Sequence, residues 1–179
     1  REYRFRLRGI RQEPPAGSGV WHPVLGENRR LLALPATGAA IPPHADLVKI
    51  RLVTPLRLRK EGAYVRQEAL PGEFAASVLR RLLLMLRFHG AGAVDEDLGG
   101  LFQMAREWKP LEASLRWKDW TRFSNRQQTK MQMGGWVGEM TVSMRATPDL
   151  WPWLWVGQYI HGGKGASMGL GAYRLEAMR

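Results

Sequence analysis

The chain has 179 residues, with 27 Lys and Arg against 16 Asp and Glu, a formal charge of +11 and no cysteine. Its 45% of apolar residues can bury a core, which excludes a wholly disordered basic tail. The lack of cysteine excludes a disulfide scaffold, a thiolate metal site and a thiol nucleophile. No apolar run reaches the roughly 18 residues needed to cross a bilayer, and residues 1–8 are basic and alternating, unlike a secretory leader. Such a charge calls for an anionic partner. Nucleic acid leads, because counterion release drives its binding, with a membrane surface or ribosome-like packing as rivals.

Residues 1–10 alternate Tyr3, Phe5 and Leu7 with Arg4, Arg6 and Arg8, which predicts a half-buried strand with a basic outer face. The Gly- and Pro-rich segments that follow read as linker. A strand with no nearby partner, in a chain that does not begin with Met, predicts a remnant of a preceding domain. The boundary falls at residue 45, with the main domain over 46–179.

From Asp46 the run LVKIRLVTPLRLR puts Val48, Ile50, Leu52, Leu56 and Leu58 on one face and Lys49, Arg51, Arg57 and Arg59 on the other. Pro55 marks a kink or an edge position. PGEFAASVLRRLLLMLRFHG predicts a helix of about four turns ended by Gly90. AGAVDEDLGG reads as loop, and LFQMAREW as a further helical turn. LEASLRWKDW and GWVGEMTVSMR read as strands, joined by a long, polar, basic link, TRFSNRQQTKMQMG. Thr147 as cap and Pro148 in the first turn open a second helix, DLWPWLWVGQYI. A glycine-rich loop and a strand over residues 169–175 close the chain.

The order β-α-β-β-α-β predicts an α+β, ferredoxin-like domain: a four-stranded antiparallel sheet with both helices on one face. The other face stays open. RNA-recognition domains use such a face with stacking aromatics, but the first strand offers only cations there, so phosphate contact is expected rather than base stacking.

The segment HGGKGASMGLGAYRL, residues 161–175, is rich in glycine. Gly162, Gly163, Gly165, Gly169 and Gly171 could let backbone amides converge on an anion, with Ser167 beside them and Lys164 adding charge. It is not a nucleotide P-loop, which needs GxxxxGK[ST] between a strand and a helix. A tight turn is the competing reading.

The run GQYIHGGKGASMGLGAYRL resembles the glycine-rich loop that closes the C-terminal domain of CRISPR-associated RAMP proteins, and looks most like the Cas6 family. VTPLRLR, the helix with Arg80 and Arg81, LRWKDWTRFSNRQ and MGGWVGEM occur in that family's order, over residues 46–179. The resemblance implies the second of two tandem ferredoxin-like domains, with residues 1–10 left over from the first. It implies cleavage of CRISPR repeat RNA without a metal or other cofactor. The ribose 2′-hydroxyl attacks the adjacent phosphate, leaving a 2′,3′-cyclic phosphate and a 5′-hydroxyl. A non-catalytic RNA-binding subunit of a CRISPR effector complex, held with other Cas subunits, is the alternative. A cytoplasmic, membrane-free setting is expected.

In many members the general base is a histidine of the first domain, and no residue here can be carried over from it. Among this chain's own histidines, His161 stands at the junction of helix and glycine loop. It is either a catalytic group or a helix C-terminal residue favouring the dipole. His89 ends the first helix, and His22 and His44 lie in the linker. Asp95, Glu96 and Asp97 read as a solvated loop. In the basic link, Arg122, Arg126 and Lys130 are phosphate-directed candidates, with Arg51, Arg57 and Arg59 on the first strand. The tryptophans read mostly as core.

Overall fold

A computed structural model describes residues 11–12, 22–23, 40–65, 67–90, 98–124 and 128–178. The chain divides into two compact units, Arg1–Pro42 and Pro43–Arg179. In the first, Arg11–Gln12 pairs antiparallel with His22–Pro23, a short ladder within what the sequence reads as linker. The strand expected over residues 1–10 lies outside the described residues.

The second unit carries β1 (Leu47–Leu56), α1 (Leu70–His89), α2 (Leu98–Glu107), β2 (Glu112–Lys118), β3 (Thr121–Ser124), β4 (Thr129–Gln132), β5 (Gly135–Ser143), α3 (Trp151–Gly157) and β6 (Tyr173–Met178). Four of these strands form an antiparallel sheet in the order β6-β1-β5-β2, the ferredoxin-like arrangement. The alternation read in β1 holds: Val48, Ile50, Leu52 and Leu56 are buried, and Leu58 follows. They meet Phe74, Val78 and Leu79 of α1, Met140 and Val142 of β5, and Leu154 of α3. The core therefore lies between one sheet face and the helices.

Three segments differ from the sequence reading. α1 spans 20 residues, about five and a half turns rather than four, and starts one residue earlier at the buried Leu70. Leu98–Gly100, read as loop, is the first turn of α2; burial of Leu101 and Ala105 overrides the glycines' poor helix propensity. The second helix is short: a 3-10 turn at Pro148–Leu150 leads into α3, which ends at Gly157. Thr147 makes no capping hydrogen bond, and its buried hydroxyl has no partner among the described residues. The last strand begins at Tyr173, since the loop runs on through residues 169–172.

The open face is not a uniform cation surface. Lys49 meets Glu139 at 3.0 Å, and Arg51 meets Glu176 at 3.1 Å and Glu139 at 4.0 Å. Among the described residues, no helix is long and apolar enough to cross a membrane.

Candidate nucleic-acid interface

One irregularity in β1 organises the site. From Leu52 to Leu56 the pairing on β5 moves only from Gly138 to Trp136, so β1 bulges around Pro55. The amides of Val53 and Thr54 both donate to the Ala172 carbonyl, at 2.8 and 3.2 Å. The Gly171 amide donates to the Pro55 carbonyl at 3.0 Å, and the Lys164 amide to the Arg57 carbonyl at 2.8 Å. Thr54 donates its hydroxyl to the Gly169 carbonyl at 2.8 Å and accepts the Ala172 amide at 2.9 Å. The glycine loop is thus docked along the bulged end of β1.

Its glycines serve this approach. A Cβ on Gly171, at φ +69°, would overlap the Gly162 carbonyl. One on Gly163, at φ +72°, would lie 2.7 Å from the Arg57 carbonyl oxygen. Gly162 sits against Phe74 and Val78 of α1, where a Cβ would come within 3.1 and 3.2 Å. Most loop amides are engaged internally: Gly162 to the Gly171 carbonyl, Gly163 to the Ser77 hydroxyl, Gly169 to the Ala166 carbonyl. Among the described residues only Gly165, Ala166 and Ser167 lack an amide acceptor in this loop, so convergence of all five glycine amides on one anion is not what the geometry offers. The Lys164 and Ser167 side chains are exposed beside them.

His161 follows the turn after α3 with φ +64°, and its amide donates to the Gly157 carbonyl at 2.9 Å. Left-handed backbone is uncommon for a residue with a Cβ, though histidine is enriched there. Its Nδ1 is buried without a partner among the described residues. Arg81 donates Nε to the Ile160 carbonyl at 2.7 Å, holding the turn before His161, whereas Arg80 is exposed. His89 and His44 are exposed.

The basic link is a two-stranded ribbon. β3 and β4 pair antiparallel, Thr121 with Gln132, Arg122 with Met131, Phe123 with Lys130 and Ser124 with Thr129. Sequence reading missed the ribbon because each face carries a single apolar residue, Phe123 on one and Met131 on the other, which leaves no apolar alternation to find. Arg122 reaches back to the glycine loop, its Nη1 lying 3.7 Å from Met168 Sδ. Lys130 is exposed on the ribbon. Arg126 and the acidic trio at 95–97 lie outside the described residues.

Arg57 and Arg59 lie beyond the end of β1 rather than on its open face. Arg57 donates from Nη1 to the Gln132 carbonyl of the ribbon and from Nη2 to the Tyr64 hydroxyl, at 2.6 Å for the latter. Arg59 and Lys60 pair with Tyr64 and Ala63 across a tight turn in which Glu61 and Gly62 have φ 51° and 81°. Both guanidinium carbons lie over the Tyr64 ring, 5.4 Å (Arg57) and 4.9 Å (Arg59) from its centroid. Tyr64 meets Trp117 at 4.7 Å, and Trp117 meets Trp136 edge-on at 5.6 Å. Tyr64 was not among the sequence candidates. The Glu-Gly dipeptide before it, suited to a primed hairpin turn, was the available signal.

The bulge, loop and ribbon bring Arg122, Lys164 and Ser167 to one end of the sheet, with Arg57 as the hub behind them. Arg51 stands apart on the open face, paired to carboxylates. Among the described residues, no three His, Asp or Glu side chains are grouped to hold a metal ion.

The fold recurs in solved structures. A Cas6 (TTHA0078) product complex is 22% identical, with a TM-score of 0.52 over 82% of this chain and 60% of its own. Thermus thermophilus Cas6 (TTHB231) is 14% identical, with a TM-score of 0.54 over 75% and 55%. A partial Cas6-RT-Cas1–Cas2 complex is 18% identical, with a TM-score of 0.51 over 75% and 23%. The chain thus spans little more than half the length of the Cas6 structures it resembles, 60% and 55% of the first two. A comparison with functionally curated proteins gives no match. The sequence profile for CRISPR-associated endoribonuclease Cas6 matches residues 50–173, a stretch holding the bulge, most of β1, all of β5, the ribbon and the glycine loop. The chain belongs to the CRISPR-associated endoribonuclease Cas6 family.

Proposed function

We propose that this chain is the RNA-binding C-terminal part of an endoribonuclease that processes CRISPR repeat RNA, with residues 1–45 linking it to a preceding ferredoxin-like domain. Family membership supports the activity, and one of the similar structures is a Cas6 product complex. The observation that carries the reading is the contact of Arg122 with Met168 of the glycine loop, which supports Arg122 and Lys164 serving the same RNA strand. Two cations there can hold consecutive phosphates, and the exposed Ser167 hydroxyl can donate to one.

The proposed reaction is metal-independent. A base takes the proton from the ribose 2′-hydroxyl, the 2′-oxygen bonds to the adjacent phosphorus, and the bond to the 5′-oxygen breaks as that oxygen gains a proton. The products are a 2′,3′-cyclic phosphate and a 5′-hydroxyl. Lys164 and Arg122 would stabilise the charge that develops on the phosphate oxygens. His161, at the junction of the turn after α3 and the glycine loop, is this chain's candidate for proton movement. Assembly with other Cas proteins belongs to the same proposal, with the Cas6-RT-Cas1–Cas2 complex as its precedent.

The test is incubation of the intact protein with repeat RNA in EDTA. Unchanged cleavage with a cyclic-phosphate end is expected. Loss of cleavage on chelation, restored by magnesium, would overturn the metal-independent route. RNA binding without any cleavage would favour the non-catalytic subunit.

A further inference from the structure

We propose that the outer face of the ribbon, Phe123 with Lys130 directly across from it, is a stacking site for one unpaired nucleobase of RNA. The inference deepens the RNA-binding reading above and rests on it. Side chains alternate between the two faces of a strand, so Phe123 stands opposite to Arg122, which points back to Met168 of the glycine loop. Phe123 therefore faces away from the loop. The register sets Lys130 beside it, a cross-strand neighbour within about 5.5 Å at Cβ.

The two aromatic groups at this end of the sheet differ in kind. Tyr64, Trp117 and Trp136 form a continuous series of ring contacts, with Arg57 and Arg59 over Tyr64. Phe123 is 52% exposed and, among the described residues, has neither a ring nor a guanidinium against it. Lys130 likewise has no acceptor among them. A solitary exposed apolar ring is ordinary on a protein surface. This one is mounted on a narrow ribbon with an ammonium opposite, in a chain of net charge +11. That pairing matches one nucleotide: the ring takes the base's π-face and the ammonium takes its phosphate. A base inside an A-form duplex is already stacked, so the site selects single-stranded RNA. The base contact missing from the sheet's first strand is thereby supplied from the ribbon.

The experiment compares two fluorescent probes on the intact chain: single-stranded oligoadenosine, and a ribose-phosphate chain of the same length without bases. The parent should bind oligoadenosine more tightly. Phe123→Ala should weaken oligoadenosine binding about tenfold, leave the abasic probe unchanged and keep its melting temperature, while Phe123→Trp restores the parent affinity. Lys130→Ala should weaken both probes and reduce the salt slope by about 0.7 log units. A Phe123→Ala protein that keeps the parent's preference for bases would overturn the stacking site while leaving RNA binding intact. A parent that ignores both probes would overturn the RNA reading and the site with it. Unchanged RNA affinity with an altered sedimentation mass in Phe123→Ala would reassign the face to a protein contact and overturn the proposal.

Discussion

The hydroxyl of Thr54 donates to the carbonyl of Gly169 at 2.8 Å, tying the bulged end of the first strand to the far side of the glycine loop. The same oxygen accepts the Ala172 amide at 2.9 Å, so one side chain satisfies two backbone groups on the loop. Thr54→Val keeps the shape and removes both bonds. It should cost about 1–3 kcal/mol of stability, because the carbonyl and amide lose their partner, and Thr54→Ser should recover most of it. Urea melts of the three proteins check this. Equal midpoints for Thr54→Val and the parent would show that water replaces the hydroxyl.

Lys164 and Gly171 separate charge from frame. Lys164→Ala removes an exposed ammonium with no partner among the described residues, so RNA affinity should fall by about 1–3 kcal/mol with little change in melting temperature. Gly171→Ala should do the reverse and compromise folding, since its Cβ overlaps the Gly162 carbonyl at φ +69°. Gly169→Ala lies between them. It has φ +83° but nothing within 4 Å, so only the left-handed strain of about 1–2 kcal/mol remains. Lys164→Ala binding RNA as tightly as the parent at two salt concentrations would remove the loop from the interface.

Arg57 is open to misreading by mutagenesis. Its guanidinium holds the Gln132 carbonyl and the Tyr64 hydroxyl, so Arg57→Ala should lower stability and RNA affinity together. Arg57→Lys should not rescue either, because a single ammonium cannot span both acceptors with a planar fork. Arg122→Ala should lower affinity and salt slope alone. A differential scanning melt beside a salt titration distinguishes the two arginines.

Tyr173 gives the fold an alkaline limit. Burial raises its phenol well above 10.0. Its hydroxyl donates to the Leu154 carbonyl at 2.6 Å, and its ring meets Phe74 edge-on at 4.7 Å. Above about pH 10 the unfolded chain gives up this proton while the folded chain keeps it. The linked stability is therefore complete below that pH and falls as pH rises toward the raised folded value. Tyr173→Phe should start lower, by about 1 kcal/mol for the lost hydrogen bond, and decline less steeply above pH 10. Parallel slopes in alkaline melts would assign the decline to other groups.

The sheet and its core were legible because burial on one side writes alternation into β1 and β5, visible at Val48, Ile50 and Leu52 and at Met140 and Val142. Family order supplied the glycine loop. What stayed hidden depended on partners distant in sequence. Nothing near Arg57 announces Gln132, and nothing near Lys49 announces Glu139, so cations that look free in the sequence are engaged in the fold. The glycine amides misled for the same reason: their acceptors, Pro55 and Ser77, come from a strand and a helix far upstream.

The glycine loop divides its positions by job. Gly163 and Gly171 leave no room for a side chain against neighbouring backbone and Gly162 packs tightly on Phe74 and Val78, whereas Lys164, Ser167 and Met168 are exposed. Those three outward positions could exchange charge, size or polarity while the frame behind them stays fixed. On the proposed RNA-binding reading, recognition here would be adjustable one side chain at a time, without asking the rest of the domain to refold.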